Sequence, residues 1–140
     1  MAHSHNIQDH SRSSFSPHGN IEVWPEGSVI RYNVAGPFNT EAIQAFARAV
    51  GSLLREWQPE GAFVSLSHWQ GSMMATPDAM ASYGTLLKLA RPAFPRELIN
   101  IWFVPIDLEG RAIMQQSWQR LYDGAEIGRA SCRERVCSTV

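Results

Sequence analysis

Apolar residues recur at two different periods along residues 19–125, and the alternation of the two periods predicts an α/β domain. Runs rich in β-branched and aromatic residues predict short strands at 21–24, 28–35, 62–66 and 98–104. Spacings of three and four residues predict helices that begin near Thr40, Thr76 and Asp107. The resulting order is a β-hairpin followed by αβαβα. It predicts a mixed, mostly parallel sheet with helices packed on it.

Individual elements carry more specific signals. Pro25-Glu26-Gly27 has the composition of a turn and predicts the hairpin connection. Asn39 or Thr40 can cap the first helix, and a helix beginning at Asp107 would place Ile113, Met114, Trp118, Leu121 and Tyr122 on one face. The segment 98–104 is almost continuously apolar. We therefore expect this strand in the middle of the sheet, covered on both faces.

The two ends of the chain differ in character from residues 19–125. Residues 1–18 are rich in Ser, His, Asn and Gln and are expected to form a disordered arm, whose histidines could bind transition metals only weakly. Residues 126–136 look like an in-frame translation of a sequencing adapter, so 126–140 are interpreted as a non-native tail. The tail is therefore expected to make few contacts. The domain at 19–125 is expected to be truncated, with one sheet edge or helix face left bare, which favours association between copies.

Composition narrows the function classes. Leaving out the three Arg and two Glu of residues 126–140 changes the formal net charge from −1 to −2, which does not favour nucleic-acid or anionic-membrane binding. Both cysteines lie in the tail, so the rest of the chain has no thiol nucleophile or cysteine-based zinc site. No apolar run reaches the ~20 residues of a membrane span. We expect a cytoplasmic protein without cofactor or metal.

Several short motifs resemble the STAS and SpoIIAA-like group of bacterial α/β domains. They are the strand start Gly19-Asn20-Ile21-Glu22, the hairpin end Val34-Ala35-Gly36-Pro37, the strand Phe63-Val64-Ser65-Leu66, and the helix starts Asn39-Thr40-Glu41 and Thr76-Pro77-Asp78-Ala79. The resemblance covers about residues 19–124. It implies a non-enzymatic domain that acts in protein–protein regulation, as in anti-sigma-factor antagonism, or that binds a ligand. Some members look like lipid-binding domains at the level of fold.

The phosphorylation motif of that group is not matched. Phosphorylated members carry Asp-Ser-(Ser/Thr)-Gly at the helix start where this chain has Met73-Met74-Ala75-Thr76-Pro77-Asp78. Thr76 is the hydroxyl residue at this helix start, where a phosphate would meet free backbone N–H groups. Thr before Pro is also an ordinary helix cap. Thr76 is therefore either a phosphoacceptor or only a cap.

The segment after the third strand is the predicted working surface. Ser67 to Ser72 reads as a polar loop, which is where binding residues concentrate. Aromatic and methionine side chains near a loop can form an adaptable apolar lip. The predicted binding residues are His68, Trp69, Met73, Met74 and Met80.

Two kinds of function remain open. The first is a STAS-like module that binds a protein partner, and the second is a carrier of a small apolar ligand held under Trp69 and the helix that includes Met80. An enclosed cavity of several hundred cubic ångströms would favour the carrier, and a flat exposed patch would favour the module. A hydrolase is less favoured, because His68 has only Ser67, Ser72 and Asp107 as candidate partners.

Overall fold

Strands and helices alternate along the part of the chain that the structure, a computed structural model, describes. The described residues are 4–12, 14–58, 61–90, 92, 97–124, 129–133 and 136–139. The elements, in chain order, are β1 (His5–Asn6), a 3-10 helix (Ile7–His10), β2 (Asn20–Glu26), β3 (Val29–Ala35), α1 (Thr40–Glu56), β4 (Phe63–Gln70), α2 (Pro77–Ala90), β5 (Glu97–Phe103), α3 (Arg111–Gly124), β6 (Arg129–Arg133) and β7 (Val136–Thr139).

The strands form a single mixed sheet in the order of the chain, from β1 to β7. β1, β2 and β3 are antiparallel neighbours, β3 to β6 are parallel, and β7 is antiparallel to β6. The predicted α/β class and mixed sheet are confirmed. Each parallel connection moves one strand further in the same direction, and such crossovers are right-handed. The three helices between β3 and β6 therefore lie on one face of the sheet.

The burial of β4 shows which face the helices cover. Phe63, Ser65, Ser67 and Trp69 are buried, whereas the residues between them are half-buried or exposed. β5 behaves in the same way: Asn100 and Trp102 are buried, and Ile99, Ile101 and Phe103 on the other face are only half-buried. The expectation that this strand is covered on both faces is therefore wrong, because all the crossover helices lie on one side.

Two strand boundaries also differ from the prediction. Pro25 pairs with Ile30 inside the hairpin ladder, so the turn falls at Gly27-Ser28, where Gly27 has a φ of 62°. β4 continues to Gln70 and pairs with β3 as far as Ala35 and Gln70. The segment predicted as a polar loop after Leu66 is therefore strand, because its polar residues alternate with a buried serine and a tryptophan.

The helix starts follow the capping signals in two of three cases. The Asn39 side chain accepts a hydrogen bond from the Ala42 N–H at 3.0 Å, and the Thr76 hydroxyl accepts one from the Ala79 N–H at 3.1 Å. α3 begins at Arg111, later than the predicted start at Asp107, and its first turn rotates Ile113 out to 72% exposure. Trp118 and Tyr122 lie on the buried face as predicted.

The N-terminal segment is ordered where it is described, so the expectation of a disordered arm is wrong for residues 4–12 and 14–18. β1 pairs with β2, and Ile7 is completely buried. Polar contacts hold the segment to α1: His5 Nε2 lies 3.0 Å from Glu56 Oε2, and the Arg48 side chain donates to the backbone carbonyl of His10. The burial of Ile7 and these polar contacts hold the segment in place, although its polar composition predicts disorder. Residues 1–3 and 13 lie outside the described residues.

The C-terminal segment pairs with the sheet. β6 is a parallel neighbour of β5 from Asn100↔Arg129 to Phe103↔Cys132, and β7 pairs with β6. The expectation of few contacts is thus wrong for the described residues of the tail, and β5 is not an edge strand. The pairing is made by backbone groups, and an exposed edge strand can pair with an extended segment of almost any sequence. Residues 125–128, 134, 135 and 140 lie outside the described residues.

Candidate functional site: a cavity between the helices and the sheet

Small side chains at the centre of β4 leave space under the helices. On the face that the helices cover, two serines, Ser65 and Ser67, stand between Phe63 and Trp69. A buried central strand normally carries Val, Ile or Leu at such positions. Ser67 is small, so it leaves space between the sheet and the helices beside Trp69.

A cavity of about 270 Å³ occupies this space. The sheet forms its floor, α1 and α2 form its roof, and α3 closes one side. The cavity reaches the surface beside Leu89, which is 72% exposed. The lining residues are Ile21, Tyr32, Val34, Phe38, Ile43, Phe46, Ala47, Val50, Gly51, Leu54, Ser67, Trp69, Tyr83, Leu86, Leu87, Leu89, Ala90, Glu97, Asn100, Trp102, Trp118 and Tyr122.

The walls are dominated by aromatic rings that contact one another. Trp69 lies with its ring centroid 4.9 Å from that of Trp102 and 5.5 Å from that of Trp118. Phe38 meets Trp69 edge to face at 6.0 Å, and Tyr83 meets Trp118 at 5.3 Å. Tilted and edge-to-face arrangements are the favoured geometries of aromatic pairs. These rings therefore form a connected, well-packed wall.

Polar groups are few, and most of them are hydrogen-bonded to one another. Trp102 Nε1 donates to Asn100 Oδ1 at 2.8 Å, and Asn100 Nδ2 donates to Glu97 Oε1 at 3.2 Å. The hydroxyl oxygens of Tyr83 and Tyr122 are 2.6 Å apart. Glu97 is the one charged residue among those that line the cavity in the described part of the chain.

Burial keeps the tyrosine hydroxyls of the cavity protonated. It raises the pKa of Tyr32 strongly, and the nearby Glu97 carboxylate acts in the same direction. Burial raises the pKa of Tyr83 to about 12, although its hydrogen bond with Tyr122 acts against this rise. The pKa of Tyr122 is also well above its ordinary value, mainly through burial. The three hydroxyls are neutral hydrogen-bonding groups around neutral pH.

The predicted binding residues do not form one surface. Trp69 is not in a loop: it lies in β4, is 6% exposed and lines the cavity. Met73 is completely buried, and its backbone carbonyl accepts a hydrogen bond from Trp118 Nε1. Met74 and Met80 are partly buried and do not line the cavity. The predicted lip of Trp69 and methionines is therefore part of the core, because the chain around Trp69 is a strand.

His68 lies on the opposite face of the sheet from Ser67 and Trp69. Its ring stacks on Phe103 at a centroid distance of 4.8 Å, and its Nε2 is 3.5 Å from an Arg31 guanidinium nitrogen. Partial burial, followed by the charge of Arg31, lowers the pKa of His68. Adjacent residues of a strand point to opposite faces, so His68 and Ser67 do not come together as catalytic partners. Ser72 is not paired with His68 either, because its hydroxyl accepts a hydrogen bond from the Met74 N–H.

Two further observations concern the rest of the described chain. Among the described residues, no group of three or more His, Cys, Asp or Glu side chains could hold a metal ion. A helix with the length and apolar character needed to cross a membrane is likewise absent from them.

Sequence reasoning missed most of the residues that line the cavity. It treated Ser67 only as a candidate partner of His68, and it gave no role to Tyr32, Asn100 or Glu97. The available signal was the period-two pattern of β4, in which serines occupy positions that the alternation assigns to the core. Comparisons with family models, curated proteins and solved structures found no match to this chain.

Proposed function

We propose that this domain binds a small, mainly apolar ligand in the cavity between its helices and its sheet. The observation that carries the proposal is the cavity itself, about 270 Å³ in volume and lined almost entirely by apolar and aromatic side chains. Ligand sites are typically concave and apolar with a few placed polar groups, and their volumes begin near ~300 Å³. The cavity matches that description in its lining, and its volume of about 270 Å³ lies just below that range.

The apolar lining supports an occupant. The cavity is open to the surface, so its apolar walls are exposed to water when it holds no ligand. Covering apolar surface is favourable by about 25 cal/mol per Å². A ligand that fills the cavity would cover much of this surface, and would bind by doing so.

A substitution that fills the cavity tests the proposal. Ala47 lies on α1 and lines the cavity, so Ala47→Leu would place three extra carbons inside it. We expect naphthalene and 1-octanol to raise the melting temperature of the original protein and to have little effect on this variant. A probe at ten times its Kd should stabilise the protein by about 1.4 kcal/mol.

Ala81→Leu is the matched control. Ala81 lies on α2, is exposed and does not line the cavity, so this variant should keep the full response to both probes. The proposal fails if neither probe stabilises the original protein, or if Ala47→Leu responds as strongly as Ala81→Leu.

The second candidate function is the STAS-like protein-interaction module. The observation that favours it is the face of the sheet without helices, where half-buried Leu66, Ile101 and Phe103 lie beside exposed His68. A contiguous apolar area on a surface is typical of a site for a protein partner. The STAS-like assignment itself rests on the short sequence motifs and on the α/β order.

One pair of variants separates the two functions. Leu66→Glu should weaken association with a protein partner and leave naphthalene binding unchanged, whereas Ala47→Leu should do the reverse. Self-association by sedimentation velocity supplies the first readout and probe binding the second. If the original protein self-associates and Leu66→Glu does so equally, the exposed sheet face is not the surface through which copies associate.

A further inference from the structure

Ser67 is an unusual residue for the floor of an apolar cavity. It is only 7% exposed, it lies on the face that the helices cover, and it lines the cavity. Among the described residues, none forms a hydrogen bond with its hydroxyl group. The hydroxyl oxygen is not fully enclosed by the protein, so a polar atom inside the cavity can form a hydrogen bond with it. Two residues further along the same face, Trp69 Nε1 is a fully buried donor without a partner, which is unfavourable because the group has lost its bonds to water and gained none in return.

The position of Ser67 places this hydroxyl against the aromatic wall. In the sheet register, Ser67 is paired with Tyr32 on one side and with Trp102 on the other. Trp69 follows two residues later on the same face. A group that binds Ser67 therefore sits next to indole and phenol rings, whereas the aliphatic residues Leu54, Leu86 and Leu89 lie on the helices, Leu89 at the mouth.

Size and charge restrict what can occupy this place. A dry apolar cavity of ~150 Å³ accepts one benzene molecule, so a cavity of about 270 Å³ has room for about two fused rings. No lysine, arginine or histidine lines the cavity in the described part of the chain, and Glu97 contributes a negative charge. A carboxylate or phosphate would be buried without a counter-charge, which is strongly unfavourable.

We infer that the ligand is an uncharged, planar aromatic molecule of about two rings whose hydroxyl group hydrogen-bonds to Ser67. The inference rests on the proposed function and adds the chemical class of the ligand. Aromatic pairs gain from ring stacking and edge contacts beyond their buried area, which favours flat rings over an acyl chain in this wall. The Ser67 hydroxyl can donate to or accept from the hydroxyl of the ligand.

Three matched probes and one substitution test the inference. Equilibrium dialysis would measure the Kd of 2-naphthol, naphthalene and 2-naphthoate for the full chain. We expect 2-naphthol to bind about fivefold more tightly than naphthalene, the effect of one net hydrogen bond, and 2-naphthoate not to bind. Ser67→Ala should remove the advantage of 2-naphthol and leave naphthalene binding unchanged. Ser117→Ala, on α3 and outside the cavity lining, should keep it.

The outcomes separate this inference from the proposed function. If no probe and no aliphatic alcohol binds, the cavity is not a ligand site and both fail. If naphthalene and 2-naphthol bind equally and Ser67→Ala changes neither, the role of Ser67 is overturned while the cavity remains a binding site. If 1-octanol competes fully at a lower concentration than 2-naphthol, or if 2-naphthoate binds best, the inferred ligand class is overturned.

Discussion

At the scale of single residues, the neighbouring positions Ser67, His68 and Trp69 are divided between the two faces of β4. Ser67 lines the cavity, His68 lies on the exposed face, and Trp69 belongs to the aromatic wall. The cause is the period of two in a strand, which sends alternate side chains to opposite faces. Ser67 and Trp69 therefore share the cavity, whereas His68 between them does not reach it.

Trp69→Ala is expected to destabilise the fold strongly. The side chain is 6% exposed and contacts Phe38, Trp102 and Trp118. Its removal should cost about 3–5 kcal/mol of unfolding free energy in a urea melt. Trp24→Ala is the control, because Trp24 is half-buried on β2 and should cost about 2 kcal/mol or less. Equal losses in the two variants would mean that Trp69 is not part of the core.

The buried tyrosines predict a loss of stability at alkaline pH. The folded-state pKa of Tyr83 is raised to about 12, so the protonated form is favoured in the fold relative to the unfolded chain, where the pKa is 10.0. The stability from Tyr83 is thus fully present below about pH 10 and is lost as the pH rises toward 12. Urea melts across this range should show a steeper decline for the original protein than for Tyr83→Phe. Parallel curves would contradict the assignment.

At the scale of elements, the N-terminal segment belongs to the folded domain. Ile7 lies in the same apolar cluster as Ile21 and Phe46, and Gln8 donates to the backbone carbonyl of Gly19. His5 and Arg48 connect the segment to α1 by polar contacts. A segment with few apolar residues can thus be held in place by one buried residue and a set of specific hydrogen bonds.

Ile7→Ala tests this attachment. Removing a completely buried isoleucine should cost about 2–5 kcal/mol of unfolding free energy. Phe15→Ala is the control within the same segment, since Phe15 is 71% exposed and its loss should change stability by about 0.5 kcal/mol or less. If the two substitutions have the same small effect in a denaturant melt, the segment does not contribute to the core.

At the scale of the whole molecule, the pairing of β5 with β6 determines whether the backbone groups at this edge of the sheet are exposed to solvent. β6 covers the edge of β5 that would otherwise be open. Deleting residues 126–140 should expose that edge, and a strand edge with free N–H and C=O groups promotes association. Sedimentation velocity should therefore show concentration-dependent oligomers of the deletion variant. A monomer with an unchanged melting temperature would instead support the interpretation of the tail as foreign to the domain.

The sequence predicted the layers of the fold better than the site. Periodicity identified the order of the elements from Ile21 to Tyr122, and capping chemistry located the starts of α1 and α2. The sequence pattern did not show that Ser67 faces the core. A short run in which polar residues alternate with a single tryptophan resembles a loop. The cavity depends on the distances between elements that are far apart in sequence, such as α1 with Ala47 and β5 with Asn100. Local sequence patterns do not determine these distances.

The three indole rings of Trp69, Trp102 and Trp118 give the cavity a spectroscopic signal of its own. Their centroids are 4.9, 5.5 and 6.2 Å apart. Chromophores this close couple their electronic transitions, so the folded protein should show an exciton couplet in its ultraviolet circular dichroism. A molecule inserted against these rings would change both the couplet and the fluorescence. Occupancy of the cavity could then be followed without attaching any label to the protein.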